Sequence, residues 1–289
     1  ASTAEVVQLL GLKLRLVDID EETFNIDPSS IEKAITSKTK AIIPVHLFGQ
    51  PAEMEKIVEI AQKYKLQIIE DNAQALGAAY IFKDGKKKKT GTIGHIGTTS
   101  FFPSKNLGAY GDGGAIFTDN DDLAQKIRIL SNHGMDKRYY HDLVGLNSRL
   151  DSIQAAVLDV KLKYLDNYNE KRRNSAIRYS NNLKRINNVI TPTLPSDPQG
   201  HVFHQYTLRI LDSKRDLLTE YLAKNEIPFG IYYPVPLHNQ KAYYSAEVDN
   251  KFFPVTIRVV NEVVSLPMHT ELSSDQIDYI SEKIIKFFS

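Results

Sequence analysis

Thr98-Thr-Ser-Phe-Phe-Pro-Ser-Lys-Asn-Leu-Gly-Ala-Tyr-Gly-Asp-Gly-Gly-Ala-Ile-Phe-Thr118 places one lysine, Lys105, between a short apolar strand and a glycine-rich turn. A lysine amine is ordinarily a protonated surface charge. Held at a strand end and partly desolvated, it loses its proton and attacks carbonyl carbons, so Schiff-base chemistry stands beside the plainer reading of a strand-end lysine. Upstream, Leu66-Gln-Ile-Ile-Glu-Asp-Asn-Ala-Gln-Ala-Leu-Gly77 reads as an apolar strand that ends in acids, with Asp71 where it stops. In open α/β sheets ligands bind beyond the carboxyl ends of the strands, so Asp71 and Lys105 are expected to face one crevice. An amine and a carboxylate so placed suit pyridoxal phosphate, PLP. The lysine holds the aldehyde, and the carboxylate keeps the pyridine nitrogen protonated so that the ring accepts electrons.

Five ordered blocks extend this pattern: Pro44-Val-His-Leu-Phe-Gly49, Glu70-Asp-Asn-Ala-Gln-Ala-Leu-Gly77, Ser100-Phe-Phe-Pro-Ser-Lys-Asn106, Gly111-Asp-Gly-Gly114 and Gly145-Leu-Asn-Ser-Arg-Leu-Asp151. Through them most of the chain resembles the DegT/DnrJ/StrS-type sugar-nucleotide aminotransferases, which are fold-type I PLP enzymes. The resemblance implies that Lys105 carries the internal aldimine and shuttles the proton during turnover, and that Asp71 pairs with the pyridinium nitrogen. It places Gln74 near the ring and its phenolic oxygen, and gives the Ser100 hydroxyl to the cofactor phosphate. Asn147 resembles an asparagine that reaches the phosphate of a neighbouring subunit's cofactor, which implies a homodimer with shared active sites. Tyr233 and His238, within Ile231-Tyr-Tyr-Pro-Val-Pro-Leu-His238, fall where the family often binds the sugar nucleotide. That composition also suits a packed turn. No metal site is expected.

The activity implied is transamination of a nucleotide-linked keto-deoxysugar by an amino acid donor, glutamate, for amino-sugar biosynthesis. The wording around Lys105 most resembles members acting on 3-keto sugars, with a 4-keto substrate next. Two rivals remain: a PLP-dependent sugar dehydratase, whose branch has histidine at the aldimine position, and a catalytically silent sugar-nucleotide-binding or regulatory relative. Relatives carry an additional amino-terminal stretch with a Gly-Thr turn and an aromatic residue that stacks on the cofactor. Ala1-Ser-Thr-Ala4 resembles the sequence just after it, so the chain is expected to begin inside the large domain.

Composition narrows the alternatives. The 289 residues are 42% hydrophobic with a formal net charge of +1, which suits a folded core and gives no broad electrostatic case for nucleic acid or an anionic membrane. There is no cysteine, so disulfides, thiolate nucleophiles and cysteine-bound metals are excluded, and a cytoplasmic setting is expected. No run reaches the roughly 20 apolar residues of a membrane span. Gly111 to Gly114 lacks the spacing of a Walker or dinucleotide motif and reads as a close backbone turn beside the lysine. The lysine-rich stretch Ile81 to Thr90 reads as a solvated hairpin tip around Asp84-Gly85. His46 reads equally as a structural histidine or a neighbour of the pocket.

The fold class expected is α/β: a large domain over 1–165 with a mostly parallel sheet flanked by helices, and a smaller α+β domain over 166–289. Strands are predicted at 12–17, 41–47, 66–69 and 98–102. Asp27-Pro28 opens one helix, and Pro51 opens another through Met54, Ile57, Val58 and Ala61. A long helical stretch follows from Arg149 to Ile186, then a strand at 205–211 and helices at 214–225 and 273–288.

Overall fold

The computed structural model describes residues 1–244 and 248–289. Its principal sheet runs in the order Ala41–Ile42, Gln67–Asp71, Ile96–Ser100 and Gly114–Phe117. The first two pairings are parallel and the last is antiparallel. A parallel pairing needs a crossover connection. The first passes through the helix Met54–Tyr64, whose Met54, Ile57 and Ala61 pack on Ile42, Leu66 and Ile68. The second passes through the hairpin Ala79–Ile81 and Lys87–Lys89, where Gly85 takes the left-handed conformation that its turn requires. In this register Asp71 lies beside Thr98, so two strands end side by side with Asp71 and Ser100 at their carboxyl ends.

The later part of the chain folds around its own antiparallel sheet, in the order Val263–Leu266, Tyr206–Ile210, Val189–Ile190. Every residue of Tyr206–Ile210 is buried. Helices Leu165–Leu183, Arg215–Lys224 and Ser274–Phe288 supply the rest of an apolar cluster that includes Tyr179, Leu183, Leu218, Leu222 and Ile284. This cluster is distinct from the one that packs the first crossover helix. Two of the predicted helix starts carry side-chain caps, whereas the helix expected from Pro51 begins at Met54 without one. Asp27 accepts the Ser29 and Ser30 N–H groups ahead of Pro28, and Ser273 forms a capping box with Gln276.

Three expectations need correction. Residues 12–17 are not a strand: a strand exists only against another strand, and among the described residues no strand pairs with this segment. The chain there leads to Asp18, a buried carboxylate that accepts the Val255 and Thr256 N–H groups at 3.0 and 2.9 Å and so fixes the start of the helix Pro254–Val259. The strand expected over 41–47 shortens to Ala41–Ile42. Val45 keeps a single bridge to Asp71 before Phe48 turns into a left-handed conformation. The long helical stretch divides into Ser152–Leu162 and Leu165–Leu183, because Tyr164 leaves helical geometry while Leu165 packs beside Leu107, Ala109 and Leu158.

Candidate active site

Lys105 lies on a tight loop whose two ends are pinned to Phe101. The Phe101 N–H donates to Gly113 O at 2.8 Å, the Ala109 N–H donates to Phe101 O at 2.7 Å, and the Lys105 N–H donates to Phe102 O at 2.9 Å. Gly108 allows the tightness, since a Cβ there would stand 2.3 Å from Pro103 O. The lysine is half-buried. Burial pushes its ammonium below the usual lysine range, against the opposing pull of the Asp71 carboxylate. The Asp71 charge thus acts on the Lys105 amine.

The next residue anchors the loop from below. Asn106 is buried and donates to Asn169 Oδ1 at 2.7 Å and to Val202 O at 2.9 Å, while its Oδ1 meets His204 Nδ1 at 3.2 Å. Burial, and then the positive charges of Lys105 and Arg172, push the His204 imidazole down to about 3, so the ring is neutral. Its Nδ1 therefore carries the proton given to Asn106. Arg172 is itself buried, donates to the carbonyls of Phe203, His204 and Met268, and is lowered by burial to about 10.

Glu70 and Asp71 divide labour by the pleat of their strand, since successive side chains point to opposite faces. Glu70 is fully buried and accepts from His46 Nε2 at 2.9 Å, Gly91 N–H at 2.8 Å, and Ile93 and Gly94 N–H at 2.6 Å each. The Ala52 N–H donates to His46 Nδ1, which leaves the ring proton on Nε2, facing Glu70. Burial alone would raise the Glu70 carboxyl, but its bond from His46, the attraction between the two and the glycine N–H donors hold it below the usual carboxylate range. His46 is thus a satisfied buried histidine. Asp71 stays half-buried on the crevice side, where Thr3 Oγ1 donates to one oxygen and the Ala73 N–H to the other.

Gln74 is oriented by its neighbours. Its Oε1 accepts the Phe48 N–H at 2.6 Å, and its Nε2 donates to the Tyr233 hydroxyl at 3.5 Å, which brings Tyr233 against Gln74. Ser100 Oγ accepts the Phe102 N–H at 3.2 Å and keeps its own proton to donate. Asn147 lies elsewhere, exposed on the segment that bridges to Asn132. His238 is buried, with Nε2 2.9 Å from Asn250 Oδ1 and its face stacked on Phe253. Sequence reasoning did not single out Thr3, Asn106 or His204 as parts of the site. Their contacts join segments far apart in the chain, and no local spacing signals them.

This donor set fits PLP: a half-buried amine of lowered basicity for the aldehyde, a fixed carboxylate for the ring nitrogen, and a hydroxyl at the adjoining strand end for the phosphate. Such groups at the carboxyl edge of an α/β sheet are those that Schiff-base chemistry calls for. The profile of the DegT/DnrJ/EryC1/StrS aminotransferase family matches residues 1–285, and the chain belongs to that PLP-dependent family. It is 46% identical over 288 residues to a protein of Geobacillus stearothermophilus named "Pleiotropic regulatory protein", covering 99% of this chain and 76% of the relative. It is 43% identical over 279 residues to the "UDP-2-acetamido-2-deoxy-3-oxo-D-glucuronate aminotransferase" of Pseudomonas aeruginosa, covering 96% of this chain and 74% of the relative. Among solved structures, S. venezuelae DesV in complex with a ketimine intermediate superimposes with a TM-score of 0.93 at 35% identity, covering 100% of this chain and 76% of DesV.

The depressed Glu70 carboxyl has a pH signature. Its contribution to stability is complete above the unfolded carboxylate range, near about 4.3, and is lost as pH falls through the lower folded value. Glu70→Gln turns an amide N–H group toward backbone donors and is expected to cost about 3 kcal/mol at neutral pH. It should also flatten the acid limb of stability when urea unfolding is measured against pH.

Proposed function

We propose that this chain transfers an amino group from an amino acid, glutamate, to the keto carbon of a nucleotide-linked deoxysugar, 3-keto in preference to 4-keto, in amino-sugar biosynthesis. The carrying observation is the half-buried Lys105 amine in the field of Asp71 at the carboxyl edge of the sheet. The name of the Pseudomonas aeruginosa relative, which specifies a 3-oxo sugar nucleotide, supports the substrate class and keto position. PLP, when bound, supplies the electron sink that labilises the substrate C–H bond. Lys105 Nζ, its basicity lowered by burial, would hold the cofactor's carbonyl carbon at rest and, once freed, would move the proton between the substrate carbon and the cofactor C4′. Asp71 keeps the ring nitrogen protonated, Gln74 lies beside the phenolic oxygen, and the Ser100 hydroxyl donates to the phosphate. Tyr233, exposed and bonded to Gln74, meets the sugar nucleotide. His238, bonded to Asn250 and stacked on Phe253, serves it by fixing the turn that carries Tyr233.

The same reading makes the active unit a homodimer in which Asn147 reaches the partner's cofactor phosphate. Val144 is 98% exposed, and Tyr139, Leu146 and Ile153 on the same stretch of chain are exposed as well. A run of exposed apolar residues of this kind suits a protein interface. We divide the chain into a cofactor-binding domain over 1–165 and a small domain over 166–289, and place the enzyme in the cytoplasm. Among the described residues, no helix is long and apolar enough to cross a membrane.

The name of the Geobacillus relative favours a second reading, a regulatory protein without turnover. Lys105 argues against the dehydratase branch. One experiment separates the remaining readings: incubation with PLP, borohydride reduction and peptide mapping, then assay with a ketosugar nucleotide and glutamate. A pyridoxyl adduct on Lys105 and an aminated sugar are expected, and Lys105→Ala should abolish both. An adduct without product would support the regulatory reading. For the dimer, Val144→Glu buries an unpaired charge at the interface and should weaken association at least about 100-fold in sedimentation equilibrium.

A further inference from the structure

Asp71 is held by more than its strand. Its N–H donates to Pro44 O at 2.9 Å and its carbonyl accepts the His46 N–H at 3.0 Å, which fixes the main chain on one side, while the pairing with Thr98 fixes the other. The terminal torsion of an aspartate is nevertheless broad, so a fixed backbone does not by itself decide where the carboxylate oxygens point. Two donors decide it. Thr3 Oγ1 donates to Asp71 Oδ2 at 2.6 Å, and the Ala73 N–H donates to Oδ1 at 3.1 Å. A carboxylate offers about four acceptor positions, so one on each oxygen stays free, and the plane that contains them is set.

The Thr3 bond is the unusual member of this pair, because it arrives from 68 residues away in sequence. The Ala73 bond is local to the turn that follows the strand. Thr3 lies on the helix Ser2–Leu9, which is seated through the buried Ala4. Threonine is β-branched and stiff at its first torsion, so its hydroxyl is presented with little rotational freedom. A hydrogen bond to an ionised oxygen is also stronger than one between neutral groups.

We propose that Thr3 is a positioning residue for the cofactor: it turns the Asp71 carboxylate so that a free lone pair meets the pyridine nitrogen of PLP and retains the proton there. The inference rests on the reading that Asp71 faces that nitrogen. Thr3 itself touches neither the ring nor the reacting carbons, and the proton stays on the ring nitrogen throughout.

The test uses the hydroxyl as the only variable. Thr3→Val keeps the shape and removes the donor, Thr3→Ser keeps the donor, and Thr3→Ala is a second donor-free variant should valine disturb the helix. Each protein is loaded with PLP labelled with nitrogen-15 at the pyridine position, and the ring-nitrogen resonance is followed against pH. The native protein and Thr3→Ser are expected to hold the ring proton to the same pH. Thr3→Val and Thr3→Ala should bind it about tenfold more weakly, a fall of about one pH unit in the midpoint. Their PLP dissociation constants, read from visible absorbance, should weaken in parallel while thermal unfolding of the PLP-free proteins matches that of Thr3→Ser. A donor-free variant whose ring nitrogen titrates as in the native protein would show that Thr3 only docks its helix, and would overturn the inference. If native protein gives no borohydride-stable adduct on Lys105, the functional reading itself fails, and the inference falls with it.

Discussion

The structure depends on the two acids that close one strand. A β-pleat sends adjacent side chains to opposite faces, so Glu70 and Asp71 cannot both point into the crevice. Glu70 goes inward, and its carboxylate gathers His46 and the backbone of residues 91–94. That segment leads directly into the strand that carries Ser100 and, beyond it, Lys105. A buried charge is costly unless hydrogen-bonded, and here four donors meet it. The same carboxylate therefore fixes both strands whose ends make the site, while its neighbour Asp71 is left free to face a ligand.

The lysine loop is held from the other direction. Asn106 links it to Asn169 on the helix Leu165–Leu183 and to Val202 and His204, just before the strand Tyr206–Ile210. Gly49 fits the same junction tightly: a Cβ there would stand 2.9 Å from the His204 nitrogen and 3.0 Å from that of Phe203. Both the amine and the carboxylate thus stand on backbone secured by buried polar contacts, which suits groups that must keep fixed positions through two half-reactions. The neutral state of His204 follows from the same burial, since a second charge beside Lys105 would have no solvent to screen it.

Much of this is readable in the chain. The strands expected at 66–69 and 98–102 lie within two residues of those found at 67–71 and 96–100, the Asp27 and Ser273 caps are local hydrogen-bonding patterns, and Asp84-Gly85 is a turn by composition. Asp71 and Lys105 can be assigned to one crevice because the carboxyl-end rule converts chain order into position. Other features depend on partners that periodicity does not encode. Residues 12–17 have the pattern of a strand, but among the described residues no strand pairs with them. The helix interruption at Tyr164 has neither glycine nor proline to announce it. Gln74 is oriented by a main-chain N–H of Phe48, a residue whose left-handed turn no spacing rule gives. Thr3 and His204 reach the site across long stretches of sequence, so only the folded chain shows them beside Asp71 and Lys105.

The most direct measurement is a crystal structure of the protein soaked with PLP. The account predicts density continuous from Lys105 Nζ into the cofactor, with the pyridine nitrogen about 3 Å from an Asp71 oxygen and the phosphate within hydrogen-bond distance of Ser100. Cofactor bound to another lysine, such as those of the 83–89 hairpin, with Lys105 free and Asp71 facing solvent, would contradict it.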